Sequence, residues 1–226
     1  MVWEYTLFVM AKVVESGLEA RAPQQARSRK TLEALLQATV RTLEAHGLEA
    51  CTLPRVAEAA KVAPATVYRR FADKDALMRA ALLDVLEGGV TDKAVVEKAL
   101  ARGTLAETAE RVVVEMLRRY RERPRLLQAT SLFIAAHAGT EFAETAAKLV
   151  AADVQARAAV LLKHQDRIRH PEPERAAVFA VLQARAVVEA VVFDPEGVWK
   201  AALSMGDKQV VAEVSRAMVG YLRRKP

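Results

Sequence analysis

The chain has 226 residues, a formal net charge of +6, 52% hydrophobic residues and only 5% aromatic ones. That length holds one large or two small domains with a real core. An apolar content dominated by Ala, Leu and Val, with 9 Gly and 8 Pro, favours helices over sheets. Cys51 is the single cysteine, which excludes an intrachain disulfide. The basic balance suits an anionic partner without requiring one.

The N-terminal stretch "MVWEYTLFVMAKVVESGLEARAPQQ" lacks a signal peptide's pattern: Glu4 stands where a basic start belongs, and Lys12 interrupts the apolar run. Residues 1–26 read as an extension. Within it, 7–18 are either an amphipathic helix docked on the body or a mobile arm, and the sequence leaves both open. Residues 28–46, "SRKTLEALLQATVRTLEAH", place apolar groups and Thr39 on one helical face (32, 35, 36, 39, 40 and 43), with Gly47 as a stop. Thr52 then reads as an N-cap, with Pro54 in the first turn, for a short helix running to about Ala60. Cys51, just before it, reads as a small buried apolar group, since nothing beside it activates a thiolate. After a break at Lys61–Ala63, Pro64 opens a second short helix ending near Phe71. Asp73 caps a longer one whose stripe is Met78, Ala81, Leu82 and Val85, with Gly88–Gly89 expected to end it. Two short helices across a tight turn make a helix-turn-helix.

Helical character continues. A short helix is expected over 91–101, one over Leu105–Glu122, another opened by Pro124, and a long one over 140–165 carrying Phe142, Ala146, Leu149 and Val150 on one face. The run "RRYRERPR", 118–125, reads as a solvated helix end, and "RHPEPER" as a break. Residues 176–193 are apolar almost all round. Arg185 and Glu189 inside the segment argue against a membrane span, so burial within the chain and against a second subunit is expected, with Val188 in that interface. The final helix, Asp207–Arg224, carries Val210, Val214, Ala217, Met218 and Tyr221 on one stripe. Segments 171–193 and 207–224 would pair across a homodimer as four helices. The fold class is therefore all-α: an extension (1–26), a helix-turn-helix domain (27–88) and a helical C-terminal domain (89–226).

On the second short helix, Val67 and Phe71 turn inward while Thr66, Arg69 and Arg70 face out, Tyr68 lies at the edge and Lys74 follows. Arginine reads guanine or holds phosphate, and Thr, Tyr and Lys suit phosphate oxygens. Residues 21–86 hold 11 Lys and Arg against 7 Asp and Glu, most of the excess charge. A solvated charged helix in an ordinary bundle is the competing reading.

The stretch "TLPRVAEAAKVAPATVYRRFADKDAL" resembles the DNA-binding domain of the TetR family of bacterial transcriptional regulators, over about residues 28–80. The resemblance rests on Thr52, on Val56–Ala57, on Thr66, Val67, Tyr68 and Phe71, and on Lys74 and Leu77. It implies a DNA-binding homodimer, released from a palindromic operator by a small molecule held in the C-terminal domain, in the bacterial cytoplasm. It places Thr66, Tyr68 and Lys74 on DNA. Thr52, Arg55, Pro64, Ala65, Arg69 and Arg70 complete the candidate interface. Lys61 stands where the family often has a glycine of positive φ, and Ala63 where it often has a capping serine. The fold should survive both, but the operator sequence is not transferable.

Candidate pocket residues are Met116, Gln128, Phe133, His137, Phe142, Gln183, Arg185 and Trp199, each also explicable as packing. Arg185 stands out, because a charge in so apolar a helix needs a partner: Glu189 one turn on, or an anionic ligand. His137 and His164 have no partner at metal-ligand spacing, and no cofactor is indicated. A helical interaction protein without DNA binding is the alternative. No nucleophile–base pair or glycine-rich phosphate loop points to an enzyme.

Overall fold

The computed structural model describes residues 3–91 and 103–224, with side chains placed over 26–89 and 103–224. The helix expected over 91–101 lies almost wholly outside the described residues. Ten α-helices are described: α1 (Trp3–Ala50), α2 (Leu53–Ala59), α3 (Pro64–Tyr68), α4 (Lys74–Thr91), α5 (Leu105–Glu122), α6 (Pro124–Ala136), α7 (Glu141–Leu162), α8 (Pro173–Phe193), α9 (Val198–Ala202) and α10 (Asp207–Arg223). A 3-10 turn, Gln165–Arg167, follows α7. Among the described residues there is no strand.

Two compact units form. One takes the chain up to Thr42 together with Cys51–Ala81; the other takes Leu43–Ala50 and the chain from Leu82 onward. The break in α1 at Gly47 (φ 78°) adopts the left-handed geometry that glycine tolerates best, and helix resumes briefly to Ala50. Gly88–Gly89 does not end α4, which continues to Thr91. Glycine lowers helix propensity by only about 1 kcal/mol, which neighbouring contacts override.

The smaller unit is cored by Leu35, Leu36 and Val40 of α1, Val56 and Ala57 of α2, Val67 and Phe71 around α3, and Leu77 and Met78 of α4. Cys51 joins this core, 1% exposed. Burial pushes its thiol pKa up, only partly offset by Lys74 and Arg55, which is the behaviour of a packing residue.

In the larger unit, α8 packs on α5, α7 and α10. Its buried face is small and close-fitting: Ala176, Ala177, Ala180, Val181, Ala184 and Val188. Val188, expected at a subunit interface, is 0% exposed within the chain itself. The opposite face carries Phe179 and Leu182, each 46% exposed. By length and composition α8 is apolar enough to cross a membrane, but one face belongs to this core. On α10 the buried stripe is Val210, Val211, Val214, Ser215, Met218 and Leu222, so Ala217 lies outside and Leu222 inside. The short α9 had no expectation, its five residues showing no periodicity to read.

The run 118–125 is a set of ties rather than a solvated end. Tyr120 is 8% exposed. Arg121 bonds Asp207 at 2.8 Å, Arg123 pairs with Glu44, and Arg125 reaches the Ala45 carbonyl at 2.7 Å. The partners lie 79 to 86 residues away.

Candidate nucleic-acid interface

The interface is shaped by how α2 stops and α3 starts. Thr52 is extended (φ −105°, ψ 155°) and its Oγ accepts the Arg55 N–H at 3.4 Å, capping α2. At the other end, Lys61 N–H bonds Glu58 O and Val62 N–H bonds Ala57 O, both at 3.0 Å. This pair of bonds is a Schellman motif, and its left-handed position falls on Lys61, φ 56°. Among the described residues Lys61 is the one non-glycine with positive φ. Ala63 then supplies the extended N-cap of α3 without a side-chain hydrogen bond, and Pro64 fixes the first turn. Both departures read from the sequence thus sit in the geometry expected of them. Asp73 Oδ1 accepts the Ala76 N–H at 2.6 Å and starts α4.

With Val67 (0% exposed) and Phe71 (8%) turned in, α3 presents Pro64, Ala65 and Tyr68 to solvent, with Tyr68 at 55% exposure, and Arg69 is exposed at its C-cap. Thr66 is half-buried on the same helix, and Thr52 and Arg55 are exposed at the start of α2. Lys74 is half-buried at the start of α4. Arg70 is placed differently. Its Nη2 donates to the Ser28 carbonyl at 3.0 Å and to Ser28 Oγ at 2.9 Å, and its Nε is buried. That side chain ties the end of α3 to α1, 42 residues away, and no sequence spacing announces such a pairing. Lys61 is exposed between the two helices and adds a cation that the sequence reading had treated only as a turn residue.

A cavity of about 70 Å³ opens within the larger unit. Leu86, Met116, Leu127, Ile134, Leu149 and Val150 give it an apolar wall. Arg119, Tyr120, Asp153, Arg157 and Arg185 supply polar groups. Of the eight candidate pocket residues, Met116 and Arg185 line it. Phe133, His137 and Phe142 form a separate aromatic cluster, with Phe133 stacked on His137 at 4.1 Å and edge-on to Phe142 at 5.5 Å. Gln128 is half-buried and Gln183 exposed. Trp199 packs on the core beside a separate hollow.

Arg185 has the partner next turn: its Nε donates to Glu189 Oε1 at 2.7 Å. Tyr120 donates to that same oxygen at 2.6 Å. Burial works against the Arg185 charge, yet Tyr120, Glu189 and Asp153 outweigh it and hold its pKa above the ordinary arginine value. Burial chiefly, with Glu189 adding, pushes the Tyr120 hydroxyl up, so it remains a donor. Arg119, Tyr120, Asp153 and Arg157 were missed. The signal that singled out Arg185 also marks Arg157, a charge in the alanine-rich run "AADVQARAAVLL".

A capped short helix, a Schellman turn and a second short helix followed by the exposed Arg69 make a helix-turn-helix. Residues 35–81 match the family model described as "Bacterial regulatory proteins, tetR family", so this segment is a TetR-family helix-turn-helix domain. No curated protein sequence matches the chain. Solved structures extend the likeness to nearly the whole fold. The fatty acid degradation regulator FadR from Bacillus halodurans superposes with a TM-score of 0.61 at 16% identity, covering 83% of this chain and 97% of that one. FadR from Bacillus subtilis, in complex with stearoyl-CoA, gives 0.59 at 15%, covering 86% and 98%. A TetR family transcription regulator from Marinobacter aquaeolei gives 0.56 at 22%, covering 88% and 98%. The chain has the all-helical fold of TetR-family transcriptional regulators.

Proposed function

We propose that the protein is a homodimeric transcriptional repressor, working in the cytoplasm, that binds a palindromic operator and leaves it when a small molecule occupies the larger unit. The observation that carries this is the surface at α3: Pro64, Ala65 and Tyr68 exposed on the helix and Arg69 exposed at its C-cap, anchored from behind by Val67 and Phe71. Arg69 contacts base edges or phosphate. Thr52, Arg55, Thr66, Tyr68 and Lys74 hold the backbone and fix the register of the helix in the major groove. Arg70 sets the angle of α3 through Ser28 rather than touching DNA first.

The exposed apolar face of α8, Phe179 and Leu182, flanked by half-buried Val178 and Tyr221, is the surface a second copy would cover. A dimer that recognises DNA would offer two recognition helices to successive major grooves, about 34–36 Å apart or more. Effector control follows from α4. It starts with Lys74 just after the recognition helix, and its Leu86 and Gly89 line the cavity. A ligand that favours a shifted α4 lowers DNA affinity by its preference for that state. The stearoyl-CoA held by the Bacillus subtilis relative supports a ligand-responsive reading.

A gel-shift titration against duplexes from upstream of the protein's own coding region tests the proposal. A shift at low salt that the Arg69→Ala variant weakens, with the salt slope reduced by about 1, is expected. A folded dimer that shifts no duplex at low salt overturns it, and leaves a helical interaction protein.

A further inference from the structure

The cavity of the larger unit contains a group that internal packing leaves unsatisfied. Arg157 of α7 is 8% exposed. Its Nε donates to Asp153 Oδ2 at 3.0 Å, but its Nη1 is buried with no hydrogen-bond partner. Buried polar atoms are rarely left unpaired, and a guanidinium does not escape by losing its proton. Asp153 is also shared, its other oxygen lying 3.7 Å from Arg119 Nη1. Arg185 is already matched by Glu189. Three guanidiniums therefore meet two carboxylates, and one positive charge stands uncompensated beside an apolar wall.

We propose that this cavity binds a small organic monoanion, a carboxylate with a short apolar body, whose head group takes the spare Arg157 N–H and the charge of Arg119. One unbalanced cation matches one negative charge; a phosphate dianion would overshoot it and cost more to desolvate. The body lies against Leu86, Met116, Ile134 and Leu149. Size limits it: about 70 Å³ is roughly half of the ~150 Å³ cavity that accepts benzene. The carboxylate head and the first carbons of a short chain fill it, with the chain end at its mouth, and a long-chain acyl thioester does not fit. Arg119 also lies against α4, since a Cβ added at Gly89 would sit 2.6 Å from Arg119 Nη2. A ligand that draws Arg119 inward therefore acts beside the helix that leads to α3. The inference rests on the proposed reading of this cavity as the effector site.

Calorimetry on the full chain at constant ionic strength, with butyrate, butyramide and inorganic phosphate, tests it. Butyrate should bind in the millimolar range, with butyramide and phosphate at least about tenfold weaker. Arg157→Gln should weaken butyrate by roughly tenfold or more, with circular dichroism checking the fold. If that variant does not fold, the butyrate–butyramide contrast on the native chain decides. Equal binding of butyramide, tighter binding of phosphate, or no butyrate binding overturns the proposal. A gel shift run alongside separates the two readings. Butyrate binding without DNA binding keeps the anion site and refutes the regulator, while DNA binding without butyrate binding does the reverse.

Discussion

In the helix-turn-helix unit the decisive bonds are short-range. Thr52 caps α2 from three residues away, the Schellman pair closes the turn across three and five residues, and Asp73 caps α4 from three. In the larger unit they are long-range. Tyr120 meets Glu189 69 residues away, Arg121 meets Asp207 at 86, and Arg123 meets Glu44 at 79. The first unit ends and turns its helices with local caps and backbone bonds, adding the long tie from Arg70 to Ser28, and much of its outer surface stays available for a partner. The second sets them with side chains, so charges that would otherwise face water are spent on architecture or on the cavity.

This contrast breaks most visibly on the two faces of α8. Val188→Asp puts a charge into the core at a 0% exposed site and should cost about 4 kcal/mol or more, seen as a lower urea midpoint. Leu182→Asp, at a 46% exposed site, should leave monomer stability within about 0.5 kcal/mol while sedimentation shows dimer loss. An intact Leu182→Asp dimer would remove α8 from the subunit interface. Glu189→Ala should come next. It strips the shared acceptor from both Tyr120 and Arg185 and should cost about 2–3 kcal/mol in a denaturant melt. A cost near zero would mean that the long-range ties are ornamental.

The short-range side is sharpened by gains. Ala63→Ser restores a hydroxyl cap to α3 and should stabilise by about 0.5–2 kcal/mol. Lys61→Gly relieves the left-handed φ and should stabilise by about 1 kcal/mol. Weaker DNA binding by the stabilised Lys61→Gly variant would show that the exposed lysine serves the interface. The smallest effect is at Glu107, which closes a capping box with Thr104. Hydrogen bonds from the Thr104 backbone and hydroxyl hold its carboxyl below the ordinary value of 4.5. Its contribution is complete above that value and fades as acid protonates it, so Glu107→Gln should flatten stability against pH below about 4.5.

The same contrast explains what could be read in advance. Thr52, Pro64 and Asp73 were legible because caps and turns depend on neighbours a few residues away, while the special places of Lys61 and Ala63 came from the family resemblance. The inward placement of Val67 and Phe71 followed from helical period. The bounds of α5 and the start of α6 followed from Pro124 beside strong apolar periodicity. The bond from Arg70 to Ser28 was not legible because it is set by how α1 meets the end of α3. Arg157 was passed over because Asp153, one turn earlier, makes it resemble an ordinary surface pair. Val188 was assigned to the wrong side of α8 because a helix apolar all round carries no phase. Within α10 the period was legible, and only the edge of the stripe differs, with Ala217 outside it and Leu222 inside.

Selection of bound sequences from a random duplex library, using the full chain at low salt, tests the proposed operator recognition by a dimer. Enrichment of one two-fold-symmetric sequence whose half-sites lie at least a helical turn apart, about 10 base pairs, is expected, with its loss in Arg69→Ala. Recovery of no preferred sequence by a folded dimer would contradict it.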